Sequence, residues 1–288
     1  MHQVRVIVNG DDFGKSPEVN KAIIRAFRAG TLTSCSLMAG GDAFDQAVVL
    51  ARENDGLAVG IHLVTVQGRA VLPHSEIPAI VDREGRFPDC PVAAGLKYYF
   101  SKAARRQLKR ELSAQFQKFH ATGLKLSHVD SHLHMHVHPV VFTASLELAE
   151  QHGVRRMRLP RDDFRLAQQF RKEHPASGAV TTLVFELLSR RMKRVLLERG
   201  FSFCERTYGH LYSGRMTIEY VLFVLNHLRT GNHEIYLHPA DLGGRAASGP
   251  EQHQCTKELD ILLSWDFKKR LLDPGIHLTN YFGLTADE

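Results

Sequence analysis

The sequence predicts an α/β protein, a (β/α) barrel of seven or eight units that occupies residues 1–288 as a single domain. Short β-branched runs alternate with longer amphipathic stretches along the chain, which is the pattern of βα units around a parallel sheet. The length of 288 residues is common for one barrel domain. An open dinucleotide-binding sheet is disfavoured, because no G-x-G-x-x-G follows a predicted strand.

The predicted strands are the short β-branched runs at residues 4–8, 32–38, 57–63, 124–130, 154–159, 201–204, 234–238 and 276–278. Capping residues mark several helix ends. The first helix is expected to have Ser16 as its N-cap and Pro17 at its first position, and to stop before Gly30, which supplies a left-handed cap. Further helices are expected at residues 101–123, 139–153, 181–199, 217–230 and 256–272.

Two stretches are poor in strand signals and rich in proline, glycine and charge, near residues 65–100 and 160–180. In a barrel, insertions of this kind follow strands and form the rim of the active site. We therefore expect both stretches to border the site rather than to form a second domain.

The composition excludes several classes of protein. Hydrophobic residues make up 43% and charged residues 24% of the chain, so it can bury a sizeable core. No apolar run approaches the ~20 residues of a transmembrane helix, and the first residues turn polar too early for a secretory signal, so we expect a cytoplasmic protein. The cysteines are far apart, without a C-x-x-C pair, which favours reduced, unligated thiols. They are Cys35, Cys90, Cys204 and Cys255.

Basic residues outnumber acidic ones by 37 to 31, and the net charge of +6 is concentrated near residues 97–110, 155–171 and 190–194. Such clusters suit solvated helix faces, a surface that faces anionic lipid, or a nucleic-acid footprint. Aromatic residues accompany only one cluster, at Tyr98, Tyr99 and Phe100. Because a stacking platform needs aromatics throughout, we expect no nucleic-acid partner.

Two adjacent carboxylates, Asp11 and Asp12, close the first predicted strand in the motif NGDDFG. At the carboxyl end of a barrel strand their mutual repulsion is costly unless a cation or a proton offsets it. Taken alone, the pair also fits a turn or helix-entry signal. Histidines elsewhere in the chain shift the interpretation towards metal binding or acid/base chemistry.

These histidines follow two other strands. His62 ends the third strand in VGIHLV, where an unpaired imidazole would be costly. Alternating histidines then run from His128 to His138, and on one face of an extended strand they would span roughly 33 Å. A transition metal takes three or four protein ligands, so one or two of these histidines suffice when other strands contribute. The rest are left to bind substrate, orient the ligands or cap the helix that Pro139 opens.

One combination of motifs runs in a fixed order along the chain: the Asp-Asp pair, His62, the H-x-x-x-H of His128 and His132, Arg158-Leu159-Pro160, and Leu237-His238-Pro239. In this combination the sequence resembles the YdjC-like carbohydrate deacetylases, which include chitooligosaccharide deacetylases, over nearly its full length. The resemblance implies an irregular (β/α) barrel, related to that of the polysaccharide deacetylases. It also implies an enzyme that hydrolyses a linear amide bond, a metal-dependent carbohydrate N-deacetylase.

The resemblance further implies roles for individual residues, although Gly10 and Leu133 depart from the usual family pattern. The metal ligands would be Asp12, His62 and His132. Asp11 would be the general base, Arg158 would orient it, and His238 would be the general acid. Additional ligands or substrate-binding groups would come from His128, His134 and His136.

The expected cofactor is one divalent cation. Two histidines and one carboxylate suit zinc better than magnesium, which prefers oxygen ligands and water, so zinc is favoured and magnesium is the alternative. Phosphoester hydrolysis would need a second carboxylate-rich site about 4 Å away, and Asp130 is the sole candidate for it in the sequence. A metal-binding protein of lipid surfaces without catalysis is the non-enzymatic alternative.

A narrower resemblance concerns the substrate. NGDDFG, LMAGG, VLPHSEIPAIVDREGRF and the His-x-His tract resemble the hopanoid-biosynthesis-associated (HpnK-like) branch of this family. That branch implies an N-acetylglucosaminyl group carried by a bacteriohopanetetrol lipid as the substrate, with a chitooligosaccharide or another small amino sugar as the alternative. A lipid substrate would give the basic clusters and Tyr98-Tyr99-Phe100 a function in peripheral contact with the inner membrane face. The sequence gives no expectation about oligomeric state.

Overall fold

The computed structural model describes residues 3–170 and 179–284, and within them seven parallel strands form one curled sheet. The strands are β1 Val4–Phe13, β2 Ser34–Leu37, β3 Ala58–Leu63, β4 Leu126–Ser131, β5 Arg206–Tyr208, β6 Gly231–Leu237 and β7 Ile276–Thr279. Their order across the sheet is β4-β3-β2-β1-β6-β5, and β7 pairs with residues 4–7 of β1. The predicted α/β fold with a parallel sheet is therefore confirmed.

Helices flank the sheet between the strands. They are α1 Pro17–Arg28, α2 Phe44–Arg52, α3 Pro91–Phe100, α4 Lys102–Ala121, α5 Pro139–Gln151, α6 Phe164–Phe170, α7 Ala179–Glu198, α8 Ile218–His227, α9 Pro250–Leu263 and α10 Trp265–Leu271. The predicted caps are present: Pro17 is the first residue of α1, and the side chain of Ser16 accepts a hydrogen bond from the Val19 amide. None of the helices in the described ranges combines the length and the apolar character needed to cross a membrane.

Some helices differ from the expectation because their signals are weak or divided. The stretch at residues 256–272 is not one helix, because Ser264 has an extended conformation and its side chain caps the start of α10. Helices α2, α3 and α6 were not predicted. The first two follow Ala43 and Cys90, neither of which makes a side-chain capping hydrogen bond.

The strands predicted at residues 154–159 and 201–204 are reduced to single bridges. Met157 bridges to Val129 of β4, and Arg156 bridges to Ser202. Pro160 lacks an amide hydrogen, which limits any longer ladder at this point. Because residue 202 leads into β5, and β5 pairs with β6, these two bridges continue the curl of the sheet between β4 and β5.

Buried polar side chains occupy the inner face of the curl. The side-chain Nδ2 of Asn9 donates to Ser36 Oγ at 2.9 Å, and Ser36 Oγ donates to Asp130 Oδ2 at 2.7 Å. Side chains alternate between the two faces of a strand, so Val129 lies on the opposite face of β4 in the hydrophobic core under the helices. The inner face therefore holds the polar groups and the outer face packs against the helices.

Gly60 of β3 is placed where this interior has no spare volume. A Cβ atom at residue 60 would lie 2.3 Å from the ring of His128. That ring cannot retreat easily, because it stacks on Tyr281 with ring centroids 3.7 Å apart. A hydrogen atom is thus the largest substituent that residue 60 accommodates without a shift of its neighbours.

Gly60→Ala is expected to lower the free energy of unfolding by about 1–3 kcal/mol, since the new methyl group overpacks a closed interior. Urea unfolding monitored by circular dichroism measures the loss. Gly249→Ala is the matched control, because a Cβ there has no atom within 4 Å. Equal losses in the two variants would contradict the packing argument.

Candidate active site

A bulge at the end of β1 brings two adjacent aspartates to one site. Gly10 of β1 is opposite Cys35 of β2 and Phe13 is opposite Leu37, so β1 contains one extra residue in this interval. Within it, Asp12 has a left-handed backbone conformation with φ of 65°. Side chains of a regular strand alternate between faces, so the bulge lets Asp11 and Asp12 serve neighbouring parts of one site.

Asp12, His62 and His132 form a buried cluster. Asp12 Oδ1 is 3.3 Å from His62 Nε2 and 3.1 Å from His132 Nδ1. One ligand atom from each residue lies within 4.8 Å of the others. The second oxygen of Asp12 is 2.9 Å from Lys15 Nζ. One carboxylate oxygen and two imidazole nitrogens therefore converge, a donor set that fits a divalent cation such as zinc.

The chain changes direction at His132, so the histidine tract is not one extended strand. β4 ends at Ser131 and a 3₁₀ helix covers His132–Val137. Leu133 and His134 have φ of 49° and 53°, in the left-handed region. The histidines of the tract therefore do not share one face, and His132 lies in the cluster with Asp12 and His62.

The other tract histidines named as candidates are buried among protein groups outside the cluster. His134 Nε2 is 2.9 Å from the Tyr236 hydroxyl. His136 Nε2 is 3.0 Å from the Arg158 carbonyl, and burial lowers the pKa of His136 to about 4. His128 lies beneath Gly60, with Nε2 3.2 Å from Ser36 Oγ.

Arg158 is fully buried and joins three carboxylates. Its Nη1 and Nη2 donate to the two oxygens of Asp11, both at 2.7 Å. Nη1 is also 2.9 Å from Asp130 Oδ2. Nη2 donates to Glu234 Oε1 at 2.8 Å, and Nε donates to both Glu234 oxygens at 3.1 Å. Burial opposes the charge on Arg158, but Asp11, Asp130 and Glu234 outweigh it and raise the pKa of Arg158 well above its ordinary value.

Asp130 also orients His62. Its Oδ1 lies 2.8 Å from His62 Nδ1, which directs His62 Nε2 towards Asp12. A carboxylate behind a ligating histidine fixes the ring and its tautomer. Burial opposes protonation, but Asp130 and the hydrogen bond to Asp12 prevail and raise the pKa of His62 to about 10. A proton and a metal ion therefore compete for the same imidazole.

The charge balance favours one cation. Four buried carboxylates in this region, Asp11, Asp12, Asp130 and Glu234, face two permanently charged cations, Arg158 and Lys15. With the ligating imidazoles neutral, as metal binding requires, the excess is two negative charges, which a divalent ion would balance. A second possible ligand group among the described residues combines Asp11, His62 and Asp130. Arg158 already pairs with both of its carboxylates, so this group is closed to a second metal ion.

His238 follows β6 and pairs with Glu258 of α9. Its ring is 29% exposed, and Nδ1 is 3.7 Å from Glu258 Oε2. Burial disfavours the charged imidazole, but Glu258, then Asp12 and Asp11, outweigh it and raise the pKa of His238 to about 9. His238 is thus protonated at neutral pH.

Several residues of the site were not predicted as functional. Glu234 contacts Arg158, and Glu258 contacts His238. Lys15 contacts Asp12. Glu234 carried a signal in the sequence, because it lies four residues before His238 on one strand face. Glu258 carried none, since its contact with His238 joins separate elements of the fold.

Most of the chain matches a known protein family. Residues 5–273 match the YdjC family, described as YdjC-like protein.

The chain belongs to the YdjC-like family.

Curated relatives of this YdjC-like chain align along almost its whole length. A protein of Brevibacillus brevis named carbohydrate deacetylase is 34% identical over 280 residues, 96% of this chain and 98% of the relative. A carbohydrate deacetylase of Geobacillus stearothermophilus is 32% identical, with 96% of both chains covered. A chitooligosaccharide deacetylase of Escherichia fergusonii is 29% identical and covers 96% of this chain and 97% of the relative. The predicted family and enzyme class are therefore confirmed.

The fold of this YdjC-like chain also matches a solved structure. A crystal structure from Enterococcus faecalis V583, described as a cellobiose-phosphate cleavage protein, superposes with a TM-score of 0.74. The superposition covers 97% of this chain and 98% of the Enterococcus faecalis chain, and the two sequences are 23% identical. The similarity at this identity concerns the fold alone.

Asp130→Asn is expected to weaken zinc binding about 10- to 100-fold, because the ring of His62 loses the carboxylate that orients it. Calorimetric zinc titration of protein purified without nickel resin and stripped with a chelator measures the change. Ser36→Ala removes the hydrogen bond from Ser36 to Asp130, together with the contacts of the same hydroxyl with Asn9 and His128, and leaves the Asp130 carboxylate in place. It is expected to show a smaller loss in the same direction.

Asp260→Asn on the exposed side of α9 is the control for the removal of one negative charge. Folding of all variants is checked by circular dichroism. Unchanged zinc affinity in a folded Asp130→Asn protein would contradict the orienting role of Asp130.

Proposed function

We propose that this chain is a metal-dependent hydrolase that removes the N-acetyl group from an N-acetylglucosamine-type sugar. The observation that carries the proposal is the Asp12–His62–His132 cluster beside Asp11, which Arg158 holds by two hydrogen bonds. The names of the relatives that align over 96% of the chain supply the substrate class. The fold is proposed to be one irregular barrel domain, with the stretches near residues 65–100 and 160–180 at its rim.

Asp12, His62 and His132 would hold the metal ion, with zinc favoured over magnesium by the two imidazole ligands. When bound, a divalent ion supplies Lewis-acid chemistry at the acetyl carbonyl and makes a water molecule more acidic. His128, His134 and His136 are assigned to the surrounding structure, because their ring nitrogens lie within hydrogen-bond distance of Ser36, Tyr236 and the Arg158 carbonyl.

Asp11 is suited to take a proton from the attacking water. Its Oδ1 accepts from Arg158 Nη2 and Asn9 Nδ2, both at 2.7 Å, and its Oδ2 accepts from Arg158 Nη1. A carboxylate has about four lone-pair sites, so Oδ2 keeps the capacity to accept another proton donor. Arg158 fixes the orientation of Asp11 and leaves that capacity in place.

His238 is suited to protonate the departing nitrogen. An amine leaves poorly as its anion, so amide hydrolysis needs an acid near that nitrogen. With its pKa raised to about 9, His238 carries the required proton at neutral pH, and its ring is partly exposed. Base and acid thus come from the ends of two neighbouring strands, β1 and β6.

Phosphoester hydrolysis fits the site less well. That reaction is commonly served by two metal ions about 4 Å apart. Among the residues that the structure describes, the second ligand group shares His62 with the first and has both carboxylates paired with Arg158. We therefore propose a site for one metal ion.

The finer proposal for the substrate is an N-acetylglucosaminyl hopanoid that the enzyme meets at the inner face of the membrane. Helix α3 supports it, because an exposed stripe on this helix is apolar: Val92 is 71%, Leu96 56% and Phe100 75% exposed. Exposed basic residues flank the stripe, as anionic headgroups would require. They are Lys97, Lys102, Arg105 and Arg106.

Helix α3 also packs against the segment that follows His132. A Cβ atom at Gly95 of α3 would lie 3.3 Å from the His138 ring, and Tyr99 makes an edge contact with the same ring. His138 ends the turn that begins at His132. A bilayer that bound α3 would thus lie beside the segment that carries a proposed metal ligand.

Acetate release tests the proposed reaction. Purified protein is incubated with N-acetylglucosaminyl hopanoid, diacetylchitobiose and an N-acetylated nucleotide sugar, and acetate is measured with and without chelator. We expect chelator-sensitive release, fastest from the hopanoid. Asp11→Asn and His238→Ala are each expected to lower kcat by about 10²- to 10⁴-fold with metal still bound, as for removal of one acid or base.

Asp260→Asn serves again as the charge control in this assay. Near-normal turnover by Asp11→Asn would remove Asp11 from the mechanism. Absence of acetate from all three substrates with metal-loaded protein would contradict the proposed function itself.

Vesicle binding tests the membrane proposal. We expect sedimentation with anionic phosphatidylglycerol vesicles, weakened by salt, and little binding to neutral phosphatidylcholine vesicles. Phe100→Ser should reduce the affinity by roughly 30-fold, because burial of a phenylalanine side chain is worth about 2 kcal/mol. Trp265→Ser is the matched control, since Trp265 is a 69% exposed aromatic residue on another helix. Equal binding by the Phe100→Ser and wild-type proteins would contradict this surface.

A further inference from the structure

Glu258 of α9 holds His238 by two contacts from one oxygen. Glu258 Oε2 accepts a hydrogen bond from the His238 amide at 2.6 Å and lies 3.7 Å from His238 Nδ1. The other oxygen, Oε1, accepts from Gln254 Nε2 at 3.1 Å, which fixes the carboxylate on its own helix. Glu258 is only 1% exposed. The backbone and the ring of His238 are therefore held by the same buried group.

We infer that Glu258 is a positioning residue for His238, an ion-pair partner that orients the imidazole to donate its proton from Nε2. The inference rests on the proposed function, because it refines the role of the acid in that reaction. Nδ1 faces Glu258, and Nε2 has no hydrogen-bond partner among the described residues. A histidine paired at one nitrogen presents the other to its reaction partner, and the paired carboxylate stabilises the imidazolium.

The charged surroundings of His238 come from three places in the fold. Glu258 lies on α9, Asp11 and Asp12 end β1, and Lys15 follows β1 and contacts Asp12. Tyr236 of β6 makes an edge contact with the His238 ring, with ring centroids 5.5 Å apart. Among the acidic groups, Glu258 acts most strongly on the His238 ring, and Asp12 and Asp11 act at longer range. Loss of the Glu258 charge should therefore release much of the bound proton.

Glu258→Gln separates charge from structure. The glutamine carbonyl oxygen can still accept the hydrogen bond from the His238 amide, so the local backbone is retained, while the negative charge is lost. Asp260→Asn removes the same charge from the exposed side of α9 two residues away. The two variants of the full chain therefore differ in the position of the removed charge relative to His238.

The first measurement is an NMR titration of the histidine rings in metal-free and zinc-loaded protein, with the His238 signal assigned by its loss in His238→Gln. In the wild type, the His238 ring is expected to titrate with a pKa of about 9. In Glu258→Gln, the pKa of His238 should fall by about one to three units, the usual effect of a charge at this distance. Asp260→Asn should leave it unchanged. An unchanged pKa in Glu258→Gln would overturn the inference, whatever the protein hydrolyses.

The second measurement is the pH dependence of kcat. His238 must be protonated to act as an acid, so kcat is retained below its pKa and lost above it. In Glu258→Gln, the pKa that defines the alkaline limb of the kcat profile should be lowered by as many pH units as the pKa of His238 in the NMR titration, with little change in KM. A uniform fall of kcat at all pH values, with the limb in place, would reduce Glu258 to a structural role and overturn the inference. If wild-type protein released no acetate, the proposed function would fail, whereas the NMR titration would still decide the pairing.

Discussion

The site depends on one buried guanidinium group that pairs with carboxylates from three separate strands. Arg158 is fully buried and contacts Asp11 of β1, Asp130 of β4 and Glu234 of β6. Loss of one partner of a buried ion pair typically costs 3–5 kcal/mol, because the remaining charge stays desolvated. The planar group has five donors, which allows bidentate contact with Asp11 and Glu234 at the same time. Arg158 therefore lies at the centre of the interior of the curled sheet. It orients Asp11 directly and His62 through Asp130.

This arrangement limits what the remaining groups can do. Asp130 uses one oxygen for Arg158 and the other for His62, so His62 has only Nε2 available for Asp12 and the cation. Three carboxylates around one arginine still carry surplus negative charge, and Asp12 adds to it. Positive charge must therefore enter the site, as protons on histidine or as a metal ion. Proton and cation binding at this cluster are consequently linked.

The sequence was sufficient where the signals are local. The cap at Ser16 predicted the start of α1, and the helix expected from residue 101 begins at Lys102. Strand-end positions indicated Asp12 and His62 as candidates, and the structure brings these two side chains together. The sequence was insufficient where tertiary contacts decide. The strand at residues 154–159 is reduced to single bridges, and the left-handed turn at Leu133 and His134 begins with leucine, a residue type that rarely adopts this conformation. Glu258 lies on a different element of the fold from His238, and a single sequence contains no signal for such a pair.

Environment, more than residue type, divides the roles within the site. Asp11 and Asp12 are neighbours in sequence, yet Asp11 faces a guanidinium group and an amide, whereas Asp12 faces two imidazoles and one lysine. The first environment holds a carboxylate in place and leaves a lone pair for a proton, and the second concentrates ligand atoms. The histidines divide in the same way: adjacent carboxylates raise the pKa of His62 and His238, whereas burial lowers the pKa of His134 and His136. The same residue type therefore supplies a charged acid at His238 and neutral structural groups at His134 and His136, and the difference comes from the neighbouring charges and the burial.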